Sequence, residues 1–202
     1  LKSLLIMPTL YYWGIKARGQ LSAIVGQFGE GFEYQQEPDW PGMKGDTLFG
    51  QLPHLVDGDI KVSQSDAIAR YLGRKNNLQG ETDADFALSE ALIEEQDDIL
   101  DIIAKSHYSD DREAAFNKAF EESLPKHLEN LEALLQNDLF TSKLTTGSLA
   151  IFSILNIALD LEATLLDKTP KLKAFYDRVA AIDQVKKYLA LDIKPYFSRK
   201  KE

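Results

Sequence analysis

Polar and amphipathic residues gather in the first third of the chain at places where a hydrophobic core needs none: Tyr12, Arg18, Trp40, Lys44, Gln51, Gln64 and Ser65. Pro53 stands among them, just before a strand-like run in QLPHLVDGDIKVSQSDAIARYL, residues 51–72. Taken singly each is ordinary. Tyr12 reads as a strand tyrosine with a wet hydroxyl, Arg18 and Lys44 as solvated cations, and Trp40 as a loop residue over a core. Gln64-Ser65 reads as a helix start with Ser63 or Ser65 as its N-cap, and Pro53 as the end of an edge strand. Together they describe a binding site. Two cations, a helix N-terminus and a free sheet-edge backbone suit a small peptide-like anion.

The elements that must position these residues are readable from periodicity. Leu10 to Trp13 is β-prone, and Leu21, Ile24, Val25 and Phe28 recur at helical spacing until Gly29 and Gly31 stop the helix. FEYQQ, residues 32–36, is a short strand. EPDWPGMKGDTLFG, residues 37–50, is a loop with room for one helical turn. HLV and IKV flank DGD as a hairpin. Ala67, Ile68, Tyr71 and Leu72 then mark the inner face of a helix ending near Lys75. The order is β-α-β-loop-β-β-α over residues 1–76. NNLQGETDAD has no period and supplies a linker, residues 77–84.

From 85 to 202 the pattern is helical. Phe86, Leu92, Ile99, Ile102 and Ile103 mark one long helix, and Phe116, Phe120, Leu124, Leu128, Leu131 and Leu135 another. GSLAIFSILNIALDL is apolar nearly all round and reads as a buried helix. Thr169 and Pro170 open a further one as N-cap and first helical residue.

Composition narrows the classes. The chain has 202 residues, 44% hydrophobic and 27% charged, which is ordinary for a globular protein. It has no cysteine, so disulfides, thiolate metal sites and a cysteine nucleophile are excluded. A formal charge of −9 repels phosphate backbones, so nucleic acid is not an expected partner. His54, His107 and His127 have no metal-ligand spacing, and no metal is expected. The acidic run Asp97, Asp98, Asp101, Asp110 and Asp111 reads as a solvated helix face, and the basic end of the chain as a solvated tail. The apolar start, residues 1–13, is interrupted by Pro8 and reads as a strand entering a core rather than a leader. No run reaches membrane-spanning length, and a cytoplasmic location is expected.

At YWGIKAR, WPGMK, FGQLPHLVDGDIKVSQSDAIARYLGR and the helical second half, the sequence resembles the cytosolic glutathione transferases of the tyrosine type. The resemblance runs from about Pro8 to the last helix. The Trp40-to-Lys44 spacing is sigma-like, whereas FGQLP and Asp97-Asp98 look like the pi, mu and alpha classes. The resemblance implies a thioredoxin-like α/β N-terminal domain with a cis-proline at Pro53 and an all-α C-terminal domain. It implies glutathione as co-substrate, with the backbone of Leu52 pairing with the cysteinyl residue. Gln64-Ser65 would receive the γ-glutamyl carboxylate, Trp40 and Lys44 would meet the glycyl end, and Gln51 would help to hold the tripeptide. Asp98, or else Asp97, would reach the γ-glutamyl amine across a homodimer interface, with Phe49 inserted into the partner.

The implied chemistry is thiol activation. A free thiol has a pKa of about 8.5, and a hydroxyl donated to its sulfur stabilises the thiolate. Tyr12 is the donor that the resemblance implies, with Arg18 adding positive field. Trp13, Ile15, Ala104 and Tyr108 are candidates for the electrophile pocket, and ordinary packing explains them equally well. Some positions depart from the family pattern. Lys16-Ala17 stands where relatives commonly have Arg-Gly, with Arg18-Gly19 two residues later. Ser148-Leu149-Ala150-Ile151 lacks the acid that usually caps the buried helix, and residues 1–7 extend past a typical start. The expected activity is conjugation of glutathione to electrophiles. A glutathione-dependent isomerase of the prostaglandin-synthase kind and a non-catalytic ligand-binding relative are the alternatives.

Overall fold

In the computed structural model, which describes residues 7–135 and 137–200, β1 (Thr9–Tyr11) opens a unit that alternates strand and helix. β2 (Ile15–Lys16), α1 (Gln20–Gly26), β3 (Glu33–Gln35), β4 (His54–Asp57), β5 (Ile60–Ser63) and α2 (Ser65–Lys75) follow. The long loop holds one 3-10 turn, Lys44–Asp46. The expected order is therefore present, with β2 as an addition. Residues 1–6, most of the expected extension over 1–7, lie outside the described residues.

The strands of the main sheet are ordered β3-β1-β4-β5. β1 is parallel to β3 across the α1 crossover, and antiparallel to β4. A two-residue turn joins β4 to β5, with Gly58 at φ 63°, the backbone sign that a tight hairpin turn selects. Leu10 and Leu55 are register partners and both are fully buried. The inner face of α2 is Ile68, Ala69, Leu72 and Gly73. Ala67, expected there, is exposed, because the buried stripe is rotated by about one residue from the one assigned.

All seven residues of α1 are buried, since it packs against α2 on one side and α8 (Asp183–Leu189) on another. This corrects the expected boundary. The chain packs as two compact units, one running up to Leu78 and including Asp183–Lys194, the other formed by Gln79–Ile182 and the residues from Pro195 onward. The segment 183–194 was assigned to the helical domain. Its buried Val185 and Tyr188 belong to the first unit instead. An amphipathic face shows that a helix has a partner without showing which. Lys194 also returns to donate its N–H to the Gly14 carbonyl at 2.9 Å.

The second unit is helical: α3 (Asp83–His107), α4 (Arg112–Lys118), α5 (Leu124–Leu134), α6 (Thr146–Leu161) and α7 (Pro170–Ala180). The single helix expected over 116–135 is divided. Pro125 has no N–H to continue the ladder, and the turn before it, Ala119–Ser123, is wound as a π-helix. Phe86 of α3 is exposed rather than in the core.

The helix starts are capped in ways that the sequence did not announce. Thr145 accepts from Ser148 N–H at 3.3 Å, and Ser89 Oγ of α3 accepts from Gly147 N–H at 2.9 Å. These groups do the work of the missing acid at 148–151. Thr169 is the N-cap residue of α7, but its side chain makes no capping bond. Glu132 of α5 accepts instead from the N–H groups of Lys171 (3.1 Å) and Leu172 (2.8 Å). Among the described residues, no helix is long and apolar enough to cross a membrane.

A methyl group at Gly147 would lie well inside van der Waals contact of the Ser89 backbone. α3 and α6 therefore approach closely because position 147 has no side chain. Gly147→Ala must push two packed helices apart, and should cost about 3 kcal/mol in urea unfolding. An unchanged unfolding midpoint would show that the helices do not meet this way.

Candidate active site

Register assembles the site. Tyr11 lies opposite His54, and His54 opposite Ser63. One residue further along each strand come Tyr12, Pro53 and Gln64. Tyr12, the cis Leu52–Pro53 peptide and the start of α2 therefore stand in a row at one end of the sheet. β3 ends there too, and the Tyr12 N–H donates to the Gln35 carbonyl at 3.2 Å.

Tyr12 is buried, and its ring lies directly over Gly19, leaving no space for a side chain there. Arg18 beside it is exposed. Tyr34 of β3 is a near neighbour of Tyr12. Burial, and then the Tyr12 phenol, hold the Tyr34 pKa well above the usual phenol range. Tyr34 stays protonated and donates to the Trp13 carbonyl at 2.6 Å, which fixes the turn after β1. Tyr11 goes elsewhere: it lines a groove with Gln35, Met43, His54 and Lys61.

Gln64 has φ 77° and ψ 125°, a left-handed conformation rarely adopted by a residue with a side chain. Its side chain does not cap α2. The first-turn N–H groups of that helix thus receive no help from their own N-cap residue, and they carry the positive end of the helix dipole. Ser65 is pinned from behind, where Ser22 Oγ of α1 donates to its carbonyl at 3.0 Å. Lys44 Nζ stands 5.9 Å from the Trp40 ring centre, so the loop brings these two together. Gln51 is exposed, Leu52 half-buried and Pro53 buried.

The other candidates are more scattered. In the first unit Trp13 is 38% exposed and Ile15 half-buried. Phe49 is 63% exposed, beside exposed Leu48. In the second unit Asp98 is exposed and Asp97 half-buried on α3, and Ala104 is half-buried. Tyr108 is 68% exposed, with its hydroxyl 2.8 Å from that of Tyr196. Among the described residues no cluster of His, Cys, Asp or Glu is arranged to hold a metal ion. The sequence reading gives no tertiary role to Gly19, Ser22, Tyr34, His54 or Ser63. All five act through tertiary contacts, and only glycine at 19 carried a sequence signal.

Comparisons agree with this architecture. Residues 27–74 match the family model for the glutathione S-transferase N-terminal domain, and residues 97–192 that for the C-terminal domain. Hematopoietic prostaglandin D synthase of Gallus gallus is 32% identical, over 87% of this chain and 92% of that protein. Glutathione S-transferase Mu 6 of Mus musculus is 31% identical, over 91% of each. The solved structure of a pi-class glutathione S-transferase from Onchocerca volvulus superposes with a TM-score of 0.81 at 28% identity, covering 90% of this chain and 91% of that one. The chain belongs to the glutathione transferase family.

The packing of Tyr12 on Gly19 is testable. Gly19→Ala should displace the Tyr12 ring and lower kcat/KM with glutathione by about tenfold or more, as small displacements of a reacting group do. Steady-state kinetics beside a melting curve separates this loss from unfolding. A fully active, stable Gly19→Ala protein would remove the contact from the site.

Proposed function

We propose that this chain conjugates glutathione to electrophilic small molecules, with Tyr12 donating its hydroxyl to the glutathione sulfur and Arg18 adding positive field. The observation that carries the reading is the row Tyr12, Leu52–Pro53, Gln64 at one end of the sheet. Two inter-strand spacings make it roughly 10 Å long, which suits an extended tripeptide at roughly 3.3 Å per residue. The γ-glutamyl carboxylate sits at the uncapped start of α2, by Gln64 and Ser65. The Leu52 backbone pairs with the cysteinyl residue, and Trp40 and Lys44 meet the glycyl carboxylate with Gln51 nearby. Tyr12 is next to the position of the sulfur. Its phenol hydroxyl donates to the sulfur, and a hydrogen bond to the thiolate favours the charged form. The stabilised thiolate attacks the electrophile. The candidates for contacting that second substrate are Trp13 and Ile15 in the first unit and, separately, Ala104 on α3 and Tyr108 just after it in the second.

A second reading is favoured by the printed name of the Gallus gallus relative: a glutathione-dependent isomerase using the same thiolate. Parallel assays with a chloronitrobenzene-type acceptor and a prostaglandin endoperoxide separate the two. Activity with neither would leave a ligand-binding protein.

Tyr12→Phe removes one hydroxyl and almost no volume. It should lower turnover by about 10²–10³, raise the pKa of the bound thiol toward its free value, and leave glutathione affinity nearly unchanged. Tyr11→Phe, on the other side of the strand, should do none of this. If Tyr11→Phe carries the loss instead, the assignment of the sulfur donor is wrong.

The working unit is proposed to be a homodimer. Phe49 is a large exposed aromatic residue in a loop, next to exposed Leu48, and such an apolar pair is what a dimer interface would cover. A buried aromatic anchor is worth more than about 2 kcal/mol at an interface. Phe49→Ser should therefore raise the dimer dissociation constant by about 30-fold or more. If Asp98 works across the interface, glutathione affinity falls with it. A wild-type protein that sediments as a monomer at micromolar concentration contradicts the dimer and the Asp98 role together.

A further inference from the structure

The glutathione-binding reading uses two backbone features, the Leu52–Pro53 corner and the Gln64–Ser65 helix start, which belong to different strands. The β4–β5 hairpin joins those strands. Its closed end is tied covalently by the turn at Gly58. Its open end is the pair His54 and Ser63, directly opposite each other in the register. Past that pair both strands leave the sheet at once, one through a cis peptide and the other through a residue at φ 77°. Hairpin ends held only by ladder bonds fray. Here a side-chain bond crosses the opening: His54 Nδ1 and Ser63 Oγ lie 3.1 Å apart and are buried. His54 is 1% and Ser63 5% exposed, so water does not compete for the bond.

The imidazole is a poor space-filler at this position. Its Nε2 is buried with no hydrogen-bond partner among the described residues, a state that an apolar side chain would avoid. What histidine offers there and leucine lacks is Nδ1. The groups around it are Tyr11 on β1, Gln35 on β3, Lys61 and the Val62 backbone on β5, and Asp39, Met43 and Asp46 from the loop. Lys61 Nζ is itself engaged by the Asp46 carbonyl at 3.2 Å. Burial, then Lys61, keep the His54 pKa below its usual value, so the ring is neutral at neutral pH. On the far side of the helix start, Ser22 holds the Ser65 carbonyl. α2 is thus fixed by α1 behind and by the hairpin end in front.

We propose that His54 and Ser63 form a positioning pair that sets the separation between the Leu52–Pro53 corner and the Gln64–Ser65 helix start, and through it the affinity of the site for glutathione. The pair touches no substrate, and the inference rests on the proposed glutathione site. It belongs to the row just beneath that site. Removing the bond widens the span that the tripeptide must bridge, while leaving Tyr12 and the sulfur chemistry in place.

The test is calorimetric titration with glutathione, with steady-state kinetics and melting temperatures, on the wild type, Ser63→Ala, His54→Leu, His54→Asn and the double variant Ser63→Ala/His54→Leu. Ser63→Ala and His54→Leu should each raise the Kd roughly 3- to 10-fold, the size of one buried hydrogen bond. Turnover at saturating glutathione should stay within about twofold. The double variant should be no worse than the weaker single one, because both remove the same bond. His54→Asn, whose amide reaches about where Nδ1 stood, should restore most of the affinity. Wild-type binding with both single variants binding equally well overturns the pair alone. A Kd loss that tracks the fall in melting temperature, and that His54→Asn does not restore, marks general fold support and also overturns it. A wild-type protein that binds no glutathione overturns the site reading, and the pair with it.

Discussion

The register that sets Tyr11 against His54 and His54 against Ser63 is the constraint on which the site depends. Slipping a strand by one residue moves all its side chains to the opposite face. Leu10 and Leu55, opposite each other and fully buried, make such a slip costly. Each buried leucine is worth about 1.5–3 kcal/mol relative to exposure, more than the usual net gain from a polar contact. The row of Tyr12, Pro53 and Gln64 is therefore held in line by apolar burial on the helix-covered face of the sheet. The polar groups of the site did not have to be chosen for assembling the scaffold.

The helical unit solves its own problem by a different route. Its helix starts expose N–H groups that need acceptors. Thr82, Asp111 and Thr145 supply them locally for α3, α4 and α6, and Glu132 reaches from α5 to serve α7. Ser89 reaches from α3 to α6 in the same way. A start capped by a neighbouring helix forms only when that neighbour is in place, so secondary and tertiary structure stabilise each other. The start of α2 lacks a side-chain cap from its own N-cap residue, as do those of α1 and α5. That residue in α2, Gln64, supplies no side-chain acceptor, although serines lie on either side of it. The first turn of a helix favours an anion.

How legible this was in the sequence depended on how local each signal is. The β-α-β-loop-β-β-α order, the DGD hairpin and the buried helix at 146–161 rest on periodicity and turn residues a few positions apart, and they read correctly. The partner of α8 did not, because Val185 and Tyr188 mark an apolar face without naming what covers it. The break near Pro125 was written in the sequence as a proline but was outweighed by a regular leucine spacing from 124 to 135. The sequence singles out Tyr12, Pro53, Gln64 and Ser65, and the fold brings them to one end of the sheet. No tertiary role is legible for Gly19, Ser22, Tyr34 and His54, since each acts on a residue 7 to 43 positions away, or on a strand partner, through geometry that spacing does not encode.

Several departures from local preference share one location, while Asn77 at φ 57° and the π-helical turn Ala119–Ser123 lie elsewhere. A cis peptide, a glutamine at φ 77°, an uncapped helix start and a tyrosine ring pressed on Gly19 all lie at one end of the sheet. A positive φ in a residue with a side chain costs about 1–3 kcal/mol and persists only where its surroundings over-determine it. Those surroundings exist around Gln64, where register, Ser22 and the hairpin end converge. They do not exist around Trp13 and Tyr108, which are 38% and 68% exposed. On the proposed reading, the groups that would hold the tripeptide are built into the core of the fold, whereas the candidates for the second substrate stand on surfaces that the core does not specify. A scaffold divided in this way keeps its thiol chemistry while the partner of the thiolate changes. That matches a family in which proteins named transferases and a protein named a prostaglandin D synthase lie at the same distance from this chain, 31–32% identity.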